Sequence, residues 1–218
     1  MNSPIIQLLV LAGIAVFLIL RLRNVLGTRD GFEKPPVVKP LERRSGPDLS
    51  VIEGTPDPDI TDHAKDGSAT AKALGAMKRV DPSFRVGDFL QGASSAYEMI
   101  LMAFERGDLA SVQPFLDAEI YDAFAEVVEQ RHAQGLTVEA NFVGISRVEI
   151  DEATLDDTTK EAEITIRFQG EFTYLVRDKA GEVVEGSPTA VKRQKDVWTF
   201  ARAMGSDDPN WLLVATGE

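Results

Sequence analysis

The residues that decide the fold are 161–176, EAEITIRFQGEFTYLV. Apolar and polar side chains alternate through the first half of this stretch, and a period of two predicts a half-buried antiparallel strand. The apolar set is Ala162, Ile164, Ile166, Phe168, Phe172, Tyr174 and Val176. Gly170 interrupts the alternation and predicts a bulge or a bend. The turn sequence DKAG at 178–181, followed by two valines, then predicts a return strand.

Segments on either side of this hairpin complete a sheet and supply helices. Residues 137–150, 191–202 and 211–216 are predicted strands, and the apolar run WLLVA that opens the last one predicts burial on both faces. Before residue 135 the apolar spacing changes to three and four, which predicts helices. Their apolar stripes are Leu74 and Met77; Phe89, Ala93, Tyr97, Ile100 and Phe104; and Ile120, Phe124, Val127 and Val128. Helices followed by a strand meander predict an α+β domain with helices on one face of a bent sheet.

Capping residues predict where the helices begin and end. The Asp81-Pro82 pair is typical of the N-cap and first turn of a helix, and Asp117 is typical of a second N-cap. Gly107 and Gly135 predict helix ends because glycine adopts the left-handed conformation readily.

The N-terminal residues are strongly apolar, and residues 1–20 contain no charged side chain. Residues 5–20 as a helix span about 24 Å, close to a hydrocarbon core of about 30 Å. We predict an uncleaved transmembrane anchor with a basic flank over residues 1–29. Its apolar residues include Ile5, Leu9, Val16, Phe17 and Leu20. A cleaved signal peptide fits less well because residues 1–4 lack a basic side chain.

The basic flank predicts the orientation of this anchor. Arg21, Arg23 and Arg29 are the charges nearest to it, and all three lie on its C-terminal side. The positive-inside bias places that side in the cytoplasm. We therefore predict a single-pass protein with its N-terminus outside, its globular domain in the cytoplasm and these arginines at the lipid headgroups.

Residues 30–70 are predicted to be a flexible linker. Six of the 11 prolines lie within residues 31–60, and no apolar period is present there. A calcium-binding loop that starts at Asp57 requires Gly at its sixth position and Glu at its twelfth, where the chain has Asp62 and Ser68. We interpret these acidic residues as a solvated linker. Residues 71–218 are then assigned to one α+β domain.

Composition excludes several kinds of chemistry. The chain has no Cys and two His, which excludes disulfides, thiolate sites and His-rich metal centres. No phosphate-binding loop, dinucleotide motif or oriented nucleophile–base pair is present, and His132 is explained as a cation near a helix C-terminus. We therefore predict no catalytic, cofactor-binding or metal-binding residue.

Charge argues against nucleic acid as a partner of the main domain. The net charge is −12, and residues 21–50 contribute +3 through seven basic and four acidic side chains. Residues 1–20 are uncharged, so residues 51–218 carry −15. A body this acidic repels phosphate.

Four aromatic residues are candidates for a site: Phe168, Trp198, Phe200 and Trp211. Trp198 and Phe200 lie two apart on one predicted strand and therefore share a face. Such residues form the core of a small domain, or they line a concave pocket where a bent sheet curves over helices. The sequence leaves both interpretations open.

Two strings resemble the Tim44-like domain family. Residues 84–108 contain FLQGA, YEMI and AF followed by GD, and residues 196–216 contain DVWTFAR and DPNWLLVAT. The similarity covers residues 80–218. It implies the cone of the nuclear transport factor 2-like fold, a curved antiparallel sheet wrapped around helices. An anchor followed by a Pro-rich linker resembles the bacterial members, particularly those of alphaproteobacteria, which are regarded as adaptors.

The resemblance implies a non-enzymatic adaptor at the bacterial inner (plasma) membrane. Its expected partners are the bilayer, through the N-terminal helix, and an inner-membrane complex or the protein translocation machinery. An alternative is a pocket protein with small-ligand binding or isomerase/dehydratase-type activity, by analogy with other cone folds. A third interpretation is a sensor of the lipid surface that uses the basic run at 192–195 together with Lys72, Lys78 and Arg79.

Overall fold

The structure, a computed structural model, describes residues 57–217. The predicted anchor, its flanking arginines and most of the predicted linker lie outside this range. The described helices are α1 (Pro58–Thr61), α2 (Ala69–Val80), α3 (Val86–Arg106) and α4 (Ala118–Ala133), with 3₁₀ turns at Leu109–Ser111 and Gln113–Phe115. The described strands are β1 (Thr137–Leu155), β2 (Glu161–Arg177), β3 (Val183–Ala203) and β4 (Leu212–Gly217).

Within residues 57–217, no helix has the length and the apolar character that crossing a membrane requires.

The described strands form one antiparallel sheet in the order β1-β2-β3-β4. Each strand pairs with its neighbour in the chain, so the sheet is a meander of hairpins. Helices α2 and α3 approach β1, and α4 approaches β4. The predicted α+β class, with helices first and an antiparallel sheet afterwards, is confirmed.

The core lies between α3 and one face of the central strands. In β2 the alternating residues Ala162, Ile164, Ile166 and Phe168 are at most 1% exposed, as the period of two predicts. Helix α3 contributes the predicted stripe, of which Phe89, Ala93, Tyr97 and Ile100 are buried. Burial of each large side chain stabilises the fold by about 1.5–3 kcal/mol relative to leaving it in water.

The alternation in β2 breaks after Phe172. Phe172 pairs with Lys192 of β3, but Tyr174 pairs with Ser187, so one residue of β2 lies opposite residues 188–191. This wide bulge contains a proline at position 188, where the missing backbone N–H interrupts no regular ladder. As a result Tyr174 is half-exposed, contrary to the prediction, whereas Leu175 is buried next to Val176, which is buried as predicted.

The helix caps agree with the sequence at three positions and differ at a fourth. Gly107 ends α3 with a φ of 77°, Gly135 follows the end of α4 with a φ of 70°, and the Asp117 carboxylate caps α4, all as predicted. Asp81 follows the last residue of α2, and α3 starts only at Val86, so the predicted N-cap at Asp81 is wrong. The Asp81 carboxylate instead accepts a hydrogen bond from Arg202, which supplies the physical reason for an acidic residue there.

Strand β4 starts one residue later than predicted and is more exposed. It begins at Leu212, which is 37% exposed, whereas Leu213 is fully buried and Trp211 before it is half-buried. At the outer edge of β4, Leu213 forms an isolated bridge with Leu116, and its carbonyl accepts a hydrogen bond of 2.9 Å from the N–H of Asp117. Within β4 only Leu213 is buried, so the expected burial on both faces is wrong.

Ordered structure begins before residue 71, inside the segment whose composition predicts a linker. Asp57 caps the short helix α1. Lys78 of α2 forms ion pairs of 2.6 Å with both Asp57 and Asp59. Asp59 also accepts hydrogen bonds from the backbone N–H groups of Val86 and Gly87 at the start of α3. These contacts join α1 to α2 and α3, so the described fold includes α1.

Candidate functional site

The interior of the domain is centred on Tyr97, in the middle of α3. Its side chain is fully buried. The Tyr97 ring stacks on Phe168 of β2 with centroids 4.5 Å apart and an interplanar angle of 17°, and it lies 4.8 Å from the ring of Trp198 on β3. Aromatic pairs at these distances add about 0.5–1.5 kcal/mol to the effect of burial alone.

Gly170 of β2 makes room for this tyrosine. A Cβ atom at position 170 would lie 2.4 Å from Tyr97 Oη and 2.9 Å from its Cε1 atom. Any side chain at this position would therefore displace Tyr97. The glycine that the sequence marks as a break in β2 has this close approach as its physical reason.

A buried carboxylate faces Tyr97 from β3. Tyr97 Oη donates a hydrogen bond of 2.6 Å to Oδ2 of Asp196, and Gln194 Nε2 donates one of 2.9 Å to Oδ1. Asp196 is 7% exposed. Burial, together with the neighbouring Asp196 carboxylate, raises the pKa of the Tyr97 hydroxyl, so the hydroxyl remains protonated and donates.

Asp196 belongs to no catalytic motif, but the strand pattern around it indicates its buried position. Asp196, Trp198 and Phe200 have the same parity on one strand, so the inward face assigned to the two aromatics includes the carboxylate. A charged residue two positions before an inward tryptophan predicts a buried partner in the layer that packs on this face, and Tyr97 on the apolar stripe of α3 is that partner.

A second aromatic group lies between the start of α3 and the β3–β4 hairpin. Trp211 lies 4.6 Å from Phe89 and 6.0 Å from Phe84 by ring centroids. Phe89 also meets Phe200 edge to face at 6.3 Å. Trp211 therefore covers the core at the N-terminal end of α3.

Arg202 joins this hairpin to the loop between α2 and α3. Its Nη2 atom lies 3.2 Å from Oδ2 of Asp81, and its Nε atom donates to the carbonyl of Asp208 at 3.1 Å. Ser83 donates to Asp81 through its hydroxyl and its backbone N–H. The bonds from Ser83 and the charge of Arg202 lower the pKa of Asp81 against the opposing effect of burial. The pair is about 11–12% exposed on both sides, so solvent screens it little.

A small pocket lies at the opposite end of α3. It has a volume of about 140 Å³, and Glu105, Arg131 and His132 are among its lining residues. Arg131 lies 3.5 Å from Glu105 and 4.5 Å from the centre of the Phe104 ring. Burial raises the pKa of Glu105 although Arg131 opposes the shift. Arg131 and His132 belong to the last turn of α4, where cations meet the helix dipole favourably.

The candidate aromatics lie in a filled interior. Phe168, Trp198 and Phe200 are at most 4% exposed, and Trp211 is half-buried. Neither the pocket beside Glu105 nor a second one of about 250 Å³ beside α1 and α2 is lined by any of the four. Within residues 57–217, no three His, Asp or Glu side chains are placed to hold a metal ion. The other candidates, the apolar anchor residues and the three flanking arginines, lie outside the described residues.

These features define an α+β domain whose antiparallel meander covers helices and whose interior is a packed aromatic core. The Tim44-like domain matches residues 70–218, and the chain belongs to that family. The recognised strings now have structural roles. Trp198 and Phe200 fill the core, Arg202 joins two loops, and Trp211 closes one end of the core.

Curated relatives carry the name of a translocase subunit. The human mitochondrial import inner membrane translocase subunit TIM44 is 28% identical over 147 residues, which cover 66% of this chain and 32% of the relative. The Arabidopsis thaliana subunit TIM44-1 is 23% identical over 154 residues, which cover 68% of this chain and 31% of the relative. The chain therefore spans about a third of the length of these relatives.

A solved structure is also similar, the intermembrane space region of the chloroplast protein ARC6. The superposition has a TM-score of 0.42 at 13% identity and covers 59% of this chain and 94% of that one.

Proposed function

We propose that this protein is a membrane-anchored, non-enzymatic adaptor that presents a Tim44-like domain to protein translocation machinery at the bacterial inner membrane. The observation that carries the proposal is the match of that domain to residues 70–218. The names of the relatives, subunits of an inner membrane import translocase, supply the kind of partner. The domain is the part that this chain shares with them.

The charge pattern of the N-terminal residues supports the membrane part of the proposal. An uncharged segment of 20 residues precedes Arg21, Arg23 and Arg29. In the proposed arrangement residues 1–29 are the anchor, the Pro-rich residues after them are a linker, and the domain lies in the cytoplasm. Helix α1 and its ion pairs with Lys78 support a domain that includes residue 57.

The packing of the interior supports an adaptor over an enzyme. A buried carboxylate such as Asp196 is the feature that a pocket enzyme of a cone fold would use as a base. Here its Oδ2 atom accepts a bond from Tyr97, and the Tyr97 side chain is fully buried between two other aromatic rings. A substrate would have to displace Tyr97 to reach this carboxylate, so the surface of the domain is the better candidate for function.

The test uses the full chain in bacterial cells. A photo-crosslinking amino acid is placed in turn at Met99, Val143 and Lys195, which are exposed on different elements. We expect at least one position to capture a component of the translocation machinery, and we expect a chain that lacks residues 1–29 to leave the membrane fraction and lose that product. A membrane fraction and a set of products unchanged by this deletion would overturn the proposal.

The orientation has its own test. A reporter fused after residue 218 should report a cytoplasmic location, and replacing Arg21, Arg23 and Arg29 with Glu should weaken or invert the topology. A periplasmic reporter in the unmodified chain would contradict the cytoplasmic placement.

A further inference from the structure

Half of strand β3 has an open edge. Strand β4 pairs with β3 only from Val197 to Ala201. Residues 192–195 of β3 pair with β2 on one side and have no strand on the other side among the described residues. Every second residue of such an edge directs its backbone N–H and C=O groups away from the sheet, where an added strand can bond to them.

The open edge is short and well defined. Its regular part starts at Lys192, because residues 188–191 just before it form the bulge, and this bulge includes Pro188, which has no N–H. At the other end, Gly217 of β4 already pairs with Val197. A strand added here antiparallel to β3 would lie in line with β4 and run in the same direction.

The edge is basic in an acidic protein. Lys192, Arg193 and Lys195 are all exposed, whereas the chain as a whole carries −12. Lys192 lies 5.0 Å from the centre of the Tyr174 ring on the side of the sheet that faces α3, because it shares the parity of Trp198. Arg193 and Lys195 have the opposite parity and lie on the other side, where Arg193 already pairs with Glu171 of β2 at 2.9 Å and Lys195 is exposed. A strand along this edge therefore meets positive charge on both faces of the sheet.

The positive charge of this edge favours an acidic segment of another protein over a second copy of this chain as its binding partner. A second copy of this chain would bring two rows of lysine and arginine side by side, and like charges opposite each other destabilise strand pairing. An extended segment rich in Asp and Glu instead gains a cation for its side chains on either face. The exposed Val191 adjoins the basic residues and offers an apolar contact to such a segment.

We propose that residues 192–195 of β3 bind an extended acidic segment of a partner protein by strand addition. The bound segment lies next to β3, in line with β4, and its backbone forms hydrogen bonds with the open edge of β3. Its carboxylates lie beside Lys192, Arg193 and Lys195. The proposal concerns the surface of the domain and does not depend on the anchor or on the translocation role.

The experiment measures binding of a labelled peptide to the purified full chain by fluorescence anisotropy. The probe is a peptide of alternating Glu and Thr, about ten residues long. A second peptide of alternating Glu and Pro has the same charge, but half of its residues cannot donate a backbone hydrogen bond. We expect the Glu-Thr peptide to bind about tenfold or more tightly than the Glu-Pro peptide.

Two matched variants locate the site. Lys192→Gln combined with Lys195→Glu should weaken binding of the Glu-Thr peptide by about tenfold or more, while Lys65→Gln combined with Lys72→Glu, the same charge change on other exposed residues, should change it less than about twofold. Lys195→Glu alone serves as a second site variant if the double variant has a lower melting temperature. Equal binding of the two peptides, equal effects of the two double variants, or no binding by the unmodified chain would overturn the proposal.

Discussion

Tyr97 and Asp196, which are 99 residues apart in the chain, form a hydrogen bond of 2.6 Å across the interior, from the middle of α3 to β3. The bond supplies a partner for a carboxylate that is 7% exposed. It also fixes the hydroxyl end of a ring that stacks on Phe168. One side chain therefore joins the helical layer to both central strands, through a polar contact and an aromatic contact.

Tyr97→Phe should destabilise the domain by about 1–3 kcal/mol, because it removes a donor from a buried carboxylate and leaves the aromatic stacking in place. Urea unfolding followed by circular dichroism measures the change in the free energy of unfolding. Tyr121→Phe, on the half-buried side of α4, is the control and should change it by less than about 0.5 kcal/mol. Equal stability of the two variants would show that the bond to Asp196 contributes little.

Gly170→Ala should destabilise the domain by about 1–3 kcal/mol or more, since the added methyl group would overlap Tyr97, which is packed on both sides. Gly144→Ala on β1 is a matched control, because a Cβ there meets no atom within 4 Å. We expect the thermal midpoint of Gly144→Ala to stay close to that of the unmodified protein. If the two variants have the same thermal midpoint, Tyr97 can move aside, and the interior is less tightly packed than the contacts indicate.

The sequence predicts those parts of the fold that depend on local pattern. The inward residues of β2 and the stripe of α3 follow from periodicity, and Gly107 and Asp117 follow from capping chemistry. The wide bulge in β3 is not visible in this way, because it depends on the pairing register of two strands rather than on either strand alone.

The features that the sequence missed depend on distant partners. Asp81 has the residue type of an N-cap, but Arg202 is its partner across 121 positions of the chain. Asp59 lies in a Pro-rich acidic segment, and only its contacts with Lys78 and the start of α3 make it structural. Local composition carries no information about either pairing, so neither contact can be predicted from the sequence alone.

Asp59→Asn should lower stability at neutral pH by about 1–2 kcal/mol. Burial raises the pKa of this carboxyl, but hydrogen bonds from Lys78, Gly87 and Val86 outweigh burial and lower the pKa from 3.8 to about 2. A depressed folded-state pKa stabilises the fold above the unfolded value, and this contribution is lost as the pH falls from about 4 to about 2.

The stability difference between the unmodified protein and Asp59→Asn should therefore shrink across that pH interval. Urea midpoints measured at several pH values check it. Asp62→Asn, an exposed residue next to α1, is the control and should leave the profile unchanged. A difference that stays constant down to pH 2 would mean that the charge of Asp59 is not the source of its effect.

A fragment of residues 57–218 should unfold cooperatively without the preceding residues, whereas a fragment of residues 80–218 should not. The shorter fragment lacks Leu74 and Met77 of α2, which are fully buried, and the ion pairs of Lys78. Losing two such side chains removes about 3–6 kcal/mol, comparable to the whole stability of a small domain. Thermal unfolding of both purified fragments checks this boundary. A shorter fragment that unfolds as sharply as the longer one would make α1 and α2 dispensable.

Trp198→Ala should destabilise the domain by about 3–5 kcal/mol, because it removes a large buried ring and leaves a cavity. Trp198 is 4% exposed, and its ring lies 4.8 Å from Tyr97, 6.1 Å from Phe168 and 6.3 Å from Phe200, so the loss reaches three neighbours. Trp211→Ala should destabilise the domain less, because Trp211 is only half-buried.

For Trp198→Ala, the melting temperature and the crosslinking yield per folded molecule separate stability from partner binding. We expect Trp198→Ala to lower the first and leave the second unchanged. A variant with the melting temperature of the unmodified protein but without its crosslinked partner would instead identify Trp198 as a binding residue.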